Sequence, residues 1–412
     1  YRCIIVHIVV LKNRITRYDI LHGGFNHMRV LLYDWCESLN YYYKVDIRDT
    51  FQELGIAYDV FQFDFDQEEI EELQRFFDSV DASNYDFCFS VNYFPEISSC
   101  CNRINLKYVS WGYDCPFNVV DIEKTLGNAC NRVFCFDRIQ AQQYIDKGFD
   151  TVFHLPLGVN AKRYGAMSFT EDIRQQYKAD ISFVGSLYEG QYSPIAEICD
   201  EYSKGYLEGI IEAQRLLYGA YILDDVIDEQ LVDDINNHFK ELQRDTQFRL
   251  SKEQLIHVID QEISRRERII MLNLLGRRYD THLYSLQDYQ QLGGVKVHGG
   301  VDYLTQMPAV FNSSKINLNI TVKGIQSGVP LRAMDIMASG GFLLSNYQPE
   351  LLEYFGYDEH MVTYESMEDA IAKCDFYLKN EELRRKIAMN ARENVLENHS
   401  MTDRFRIILD VI

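Results

Sequence analysis

Positive charge is scarce in this sequence. Against 62 aspartates and glutamates stand 41 lysines and arginines, a formal net charge of -21 over 412 residues. A nucleic-acid backbone or an anionic membrane would be repelled over most of such a surface, which excludes general nucleic-acid binding. A small anion is still admissible, because a pocket needs only one or two cations and a helix N-terminus. Metal-ligand spacing is missing too: the 10 cysteines include no CxxC and no histidine partner at zinc spacing, and Cys100 and Cys101 are merely adjacent. Several, such as Cys88 and Cys135, lie inside apolar runs and read as reduced thiols of a cytoplasmic core. No apolar run has the length of a membrane span, and Cys3 to Leu11 is short and flanked by charge. Proline is sparse, 7 in all, with none between Pro194 and Pro308. No repeat of solenoid period is present.

What is present is an ordinary globular balance, 47% hydrophobic and 25% charged, in a chain long enough for two domains. At Met28 a mixed stretch gives way to Arg-Val-Leu-Leu-Tyr, a buried-strand pattern, so residues 1–27 are expected to be leader rather than domain. From there apolar runs at Met28 to Tyr33, Tyr58 to Phe63, Tyr85 to Ser90, Tyr108 to Trp111, Arg132 to Phe136 and Val152 to Leu155 alternate with amphipathic segments. A second series runs from Asp180-Ile-Ser-Phe-Val-Gly185 to Met361 to Thr363. Strands alternating with helices predict α/β domains, each a parallel sheet covered on both faces. The proline-free, helix-favouring stretch at about 194–275 predicts a helical insertion in the second. The expected division is 28–160, a linker 161–179, 180–400, and a final helix 401–412 that could cross back to the first domain. Two such Rossmann-like halves are expected to place ligands in a cleft at the carboxyl ends of their strands.

The window Lys315 to Asn346 is the most informative. A strand ends near Thr321, a loop carries Lys323, Gly324 and Gly328, and Pro330 opens a helix. The free N–H groups of that helix start favour a phosphate, with Lys323 or Arg332 neutralising the rest of the charge. Asp335, one turn on, could accept two hydrogen bonds from a ribose diol. The alternative, a surface pair of Arg332 with Asp335 worth a few tenths of a kcal/mol, stands beside it. In the first half, Asp114 follows a strand and could hold a hydroxyl or act as general base, or could simply cap a turn. Pro116 with the aromatics Trp111 and Tyr113 suits a shaped loop beside it, and the tyrosines of Glu37 to Lys44, Tyr42 among them, suit sugar stacking, although core packing of one or two of those tyrosines competes. His154 reads as a core histidine. Asp64-Phe-Asp66 is a rival metal-diphosphate signal that an acidic chain produces easily by chance.

The run Met334-Asp-Ile-Met-Ala-Ser-Gly340 resembles the signature helix of group 1 glycosyltransferases of the GT-B fold, with Asp335 at the ribose-gripping carboxylate. His154-Leu-Pro-Leu-Gly-Val-Asn160 resembles the family's interdomain link, and Ile181-Ser-Phe-Val-Gly-Ser186 its glycine turn. More narrowly, Gly328 to Asp335, Gly340 to Asn346 and Val109 to Pro116 resemble spore-maturation glycosyltransferases and bacterial proteins with a DUF3880 domain. The resemblance implies two Rossmann-like domains facing across a cleft and transfer of a sugar from a nucleotide diphosphate sugar, with a UDP-sugar as first guess. It implies donor contacts from Asp335, Gly328, Val329, Ser327, Gly185 and Ser186, charge stabilisation by Arg332 and Lys323, and acceptor contacts from Asp114, Tyr113, Trp111 and Tyr42. It favours retention without a metal or other cofactor. It also implies a bacterial enzyme of cell-surface glycan or glycoconjugate synthesis, acting on a glycan, lipid-linked or protein acceptor, with peripheral membrane contact allowed and no nucleic-acid partner.

Three departures stand out. Ser327 occupies the position of the family's other acidic residue, Asp replaces Glu at 335, and Ser186 to Gly190 carries no cation. The missing charge would then come from Lys323, Arg332 or an insertion residue such as Arg265 or Arg266. A nucleotide-sugar epimerase of the same fold and an inactive nucleotide-sugar binder are the alternative functions.

Overall fold

The computed structural model describes residues 10–11, 15–18, 28–34, 41–63, 67–117, 119–243, 249–287, 289 and 292–412, with the backbone alone described for 10–11, 15–18, 41–42, 67–69 and 243. The chain divides into two compact units, Tyr1–Ala161 with His399–Ile412, and Lys162–Asn398.

The first unit is built on an eight-stranded sheet. Its strands are β1 (Val10–Leu11), β2 (Ile15–Tyr18), β3 (Arg29–Tyr33), β4 (Ala57–Phe61), β5 (Phe87–Val91), β6 (Tyr108–Trp111), β7 (Asn131–Cys135) and β8 (Val152–His154), in the order β1-β2-β4-β3-β5-β6-β7-β8. The six from β4 to β8 are parallel. The expectation that residues 1–27 lie outside the domain is corrected here: β2 pairs antiparallel with β4, Thr16 opposite Val60, and β1 pairs with β2. Open backbone groups on the β4 edge take up the added strand.

One face of this sheet buries Leu31, Phe61, Cys88 and Val133. The other is covered in part by the helices Tyr41–Leu54 and Met401–Val411. Phe405 of the last helix lies 5.1 Å from Phe51, 5.2 Å from Phe89 and 5.9 Å from Trp111, ring centre to ring centre. The chain end is fastened at Val159, whose N–H donates to the His399 carbonyl at 3.0 Å and whose carbonyl accepts from Met401 N at 2.8 Å. Gly158 permits this approach, because a Cβ there would sit 3.0 Å from the Ser400 backbone.

The second unit has strands β9 (Ala179–Val184), β10 (Thr281–Tyr284), β11 (Val295–His298), β12 (Ser314–Asn319), β13 (Leu343–Asn346) and β14 (Val362–Tyr364), ordered β11-β10-β9-β12-β13-β14. All are parallel. Ile181, Phe183, Leu283, Ile316 and Leu318 bury one face against Met271, Leu272 and Leu275 of the helix Lys252–Gly276. The opposite face carries a polar seam, with Ser182 Oγ donating to Asn317 Oδ1 at 2.7 Å. Between β9 and β10 stands the helical insertion, from the helix Tyr192–Ile198 to Lys252–Gly276. It has its own core of Leu207, Ile211, Leu223, Ile235, Leu255 and Ile259. Its last helix begins at a capping box formed by Ser251 and Gln254. Segment 161–179, expected as linker, folds into two short helices, Ala161–Ala166 and Glu171–Gln176. Among the described residues, no helix is long and apolar enough to cross a membrane.

Candidate functional site

Parallel strands turn their carboxyl ends to one side, and loops there are free to carry chemistry because the strands are already hydrogen-bonded. In the second unit β9 and β12 are neighbours, so Gly185 and Ser186 after β9 lie beside the loop that leaves β12. Arg268 of the insertion fastens the two loops: its guanidinium donates to the Ser186 carbonyl at 2.7 Å and to the Ile320 carbonyl at 2.6 Å. Its carbon Cζ lies 4.7 Å from the ring centre of Tyr188 and 5.3 Å from that of Phe183. The insertion cations named as candidates for the missing charge are its neighbours Arg265 and Arg266. Arg265 is paired with Glu262, and Arg266 with Glu208, Glu212 and Glu262. Helical register decides this, since Arg268 falls on the buried side of its helix.

Lys323 is a correction. Instead of facing a ligand, it is buried, its ammonium donating to the Leu217 carbonyl at 3.0 Å, 3.4 Å from Glu267 Oε2 and 3.9 Å from the Tyr218 ring centre. Burial lowers its pKa, and the Glu267 carboxylate opposes that shift. Its charge is committed to Glu267, which has no exposed surface of its own.

Ser327, Gly328 and Val329 are buried where the loop passes into the helix Leu331–Ala338. The Ser327 hydroxyl donates to Glu350 Oε1 at 2.7 Å, and Glu350 N donates back to the Ser327 carbonyl at 3.0 Å. A carboxylate therefore does stand beside Ser327, supplied by a residue that sequence spacing had not singled out. Pro330 is the N-cap, and its own side chain makes no cap hydrogen bond. The amide end of a helix carries the positive end of its dipole and attracts an anion. Arg332 sits in its first turn with its side chain 32% exposed, near Met307 Sδ and the Phe311 ring.

Asp335 departs from the expected open carboxylate. It is 1% exposed, and Oδ1 already accepts two hydrogen bonds, from the Tyr164 hydroxyl at 2.8 Å and the Tyr303 hydroxyl at 2.7 Å. Burial raises its pKa, countered by the charge of Arg332 and by the two hydroxyl donors. Oδ2 is 3.8 Å from Arg332 Nη1, so the pair is one-sidedly buried rather than a surface pair. The Arg163 guanidinium carbon lies 4.5 Å from the Tyr164 ring centre and 5.5 Å from that of Tyr303. Tyr164, Tyr303 and Arg163 were missed, because nothing in local spacing ties residues so distant in the chain to Asp335.

In the first unit Asp114 is exposed, and its Oδ2 accepts from Asn92 Nδ2 at 2.6 Å. The same Asn92 accepts from the backbone N–H groups of Tyr113 and Asp114 at 2.7 and 3.1 Å. Asn92 takes a left-handed backbone (φ 62°) to do so, a conformation asparagine tolerates better than most residues. Tyr113 is half-buried, tilted against Tyr43 and edge-on to Trp111. Trp111 is a second correction: it is fully buried, its indole N–H donating to the Leu155 carbonyl at 3.2 Å, so it is core and offers no face to a sugar. Tyr42 lies in the helix Tyr41–Leu54, its side chain outside the described residues. Asp64, Phe65 and Asp66 are likewise outside them. His154 is half-buried at the end of β8. Among the described residues, no group of three or more His, Cys, Asp or Glu is placed to hold a metal ion.

Residues 253–410 match the family described as glycosyl transferase-like. The matched stretch contains the β12 loop, Arg332 and Asp335. Comparison with the curated proteins finds no match. Among solved structures, the chain resembles a glycosyltransferase from Rickettsia africae with a TM-score of 0.52 at 12% identity, covering 94% of this chain and 98% of that one. The Anabaena protein HepE in complex with UDP gives 0.52 at 11%, covering 93% and 99%. The T4 phage protein BGT in complex with its UDP-glucose substrate gives 0.52 at 8%, covering 93% and 99%. At these identities the likeness concerns the fold, which is the α/β GT-B architecture.

Proposed function

We propose that this protein is a glycosyltransferase that moves a sugar from a nucleoside diphosphate sugar to an acceptor hydroxyl. The observation that carries the reading is the proline-capped helix Leu331–Ala338 with Arg332 half-buried in its first turn, inside the segment that matches the glycosyl transferase-like family. Charge developing on a departing diphosphate is stabilised by the helix amide end and a nearby guanidinium, both in place before reaction. Gly185, Ser186, Gly328 and Val329 would contribute backbone contacts to the donor, and Arg268 would hold their loops in register. Asp335 acts through others in this scheme: it fixes the hydroxyls of Tyr303 and Tyr164 and draws Arg332 into place. UDP is the proposed nucleotide, supported by the relatives whose structures hold UDP or UDP-glucose.

Retention at the anomeric carbon, a diphosphate handled without a metal, and kinship with spore-maturation and DUF3880-containing proteins belong to the same proposal. Asp114, exposed and steadied by Asn92, is proposed to hold the acceptor hydroxyl, and in an inverting reaction it would take the proton. The closed state of Asp335 favours a second reading, a nucleotide-sugar binder without turnover. Incubating UDP-glucose and other nucleotide sugars with and without glycan acceptors separates these. The transferase releases UDP faster with acceptor present, a binder releases none, and an epimerase converts the sugar with no acceptor.

A further inference from the structure

The second unit has a cavity of about 540 Å³ that the donor reading leaves unused. Lys178 precedes β9, Ser314 and Lys315 open β12, and Phe342 precedes β13, so the cavity lies at the amino ends of these strands. The loops discussed above leave the carboxyl ends. A six-residue strand such as β12 separates the two by about 20 Å.

In a chain of net charge -21, this cavity is lined by five cations, Arg174, Lys178, Lys315, Arg384 and Arg385, against two carboxylates, Glu171 and Glu381. Part of that charge is answered internally. Lys315 pairs with Asp180 at 2.7 Å and Arg385 with Glu381 at 2.5 Å. Arg384, 5% exposed, donates to the Tyr377 carbonyl at 2.7 Å. Arg174 and Lys178 are exposed, and no side-chain partner of either is found among the described residues.

A second observation is independent of charge. Ser314 is 6% exposed, and its Oγ is buried without a hydrogen-bond partner among the described residues. A buried hydroxyl left unmade costs about 1–3 kcal/mol. Helices that end at this side, such as Gln306–Ser313 and Leu331–Ala338, account for a cation or two through their carbonyl ends. They do not account for an orphaned hydroxyl donor.

We propose that this cavity binds a small phosphorylated molecule of about hexose-phosphate size. Guanidinium forks and ammonium groups suit a phosphate dianion, the Ser314 hydroxyl supplies a further donor, and the exposed Met389 gives an apolar surface for a ring. The volume is within the range of small-molecule sites. The proposal does not depend on the donor reading.

The test is calorimetric titration of the full chain, at fixed ionic strength, with inorganic phosphate, glucose 6-phosphate and glucose. The Arg174→Glu/Lys178→Glu variant and Ser314→Ala are titrated alongside. Saturable binding of glucose 6-phosphate, none of glucose, and at least tenfold weakening in the double variant with its unfolding midpoint unchanged are expected. Absence of binding by both phosphate and glucose 6-phosphate overturns the proposal, as does equal affinity in the double variant. Vesicles containing phosphatidic acid are sedimented with the chain as a further arm. Binding to these without binding to the soluble phosphate would assign the site to a lipid headgroup and overturn the soluble ligand.

Discussion

Replacing Asp335 separates a carboxylate that grips a ligand from one that holds its own protein together. Asp335→Ala leaves the hydroxyls of Tyr164 and Tyr303, 2.8 and 2.7 Å from Oδ1, without their acceptor in a buried site. Each unsatisfied group costs about 1–3 kcal/mol, so about 2–6 kcal/mol of folding stability should go. The Arg332 contact at 3.8 Å, with its guanidinium partly in solvent, adds little. Asp335→Asn keeps an acceptor oxygen and removes a charge that burial disfavours, so it should cost less than about 1 kcal/mol. Urea unfolding of the two variants, with Tyr303→Phe and the double variant to close a cycle, gives the coupling directly. If Asp335→Ala unfolds within about 1 kcal/mol of the parent while UDP affinity vanishes, the carboxylate is an open ribose ligand and its place here is wrong.

Other perturbations test the remaining assignments. Lys323→Met leaves the Glu267 carboxylate, fully buried, with the Tyr218 hydroxyl as its one side-chain donor among the described residues, and should lose about 3–5 kcal/mol of stability that Glu267→Gln partly restores. An unaltered unfolding midpoint with lost UDP binding would return Lys323 to the donor site. Burial pushes the Asp260 carboxyl up to about 8, with a hydrogen bond from Tyr221 pulling the other way. The folded state then keeps a proton that the unfolded chain releases near pH 4. That contribution is complete below about pH 4 and falls by up to about 1.4 kcal/mol per pH unit as pH rises toward about 8. Asp260→Asn should remove this slope in urea titrations between pH 5 and 9, and an identical slope in parent and variant would show the carboxyl to be ionised throughout.

The alternation of strand and helix was legible because buried parallel strands need unbroken apolar runs, as in Arg29–Tyr33 and Tyr108–Trp111. The insertion was legible from its lack of proline. The burial of Trp111 is not legible locally, because a tryptophan at a strand's carboxyl end reads the same whether it faces a loop or the Phe405 ring, and Phe405 arrives from the far end of the sequence. Lys323 was misjudged for a related reason. A lysine in a glycine-bearing loop looks solvated until the insertion brings Glu267 and Tyr218 over it. Ser327 and Glu350 show the converse, an acidic group replaced from another element with no trace in local spacing. The strands Val10–Leu11 and Ile15–Tyr18 were overlooked because an antiparallel addition to an edge needs little apolar content.

The measurement that bears most directly on the central claim is the affinity for UDP, by calorimetry, of the parent chain and of Arg332→Ala. A guanidinium that meets the diphosphate at the amide end of the helix Leu331–Ala338 is worth about 1.5–3 kcal/mol, which makes the variant roughly ten- to 150-fold weaker. Its unfolding midpoint should stay put. UDP bound equally well by both proteins, or no nucleoside diphosphate bound by the parent, would contradict a donor site at this helix.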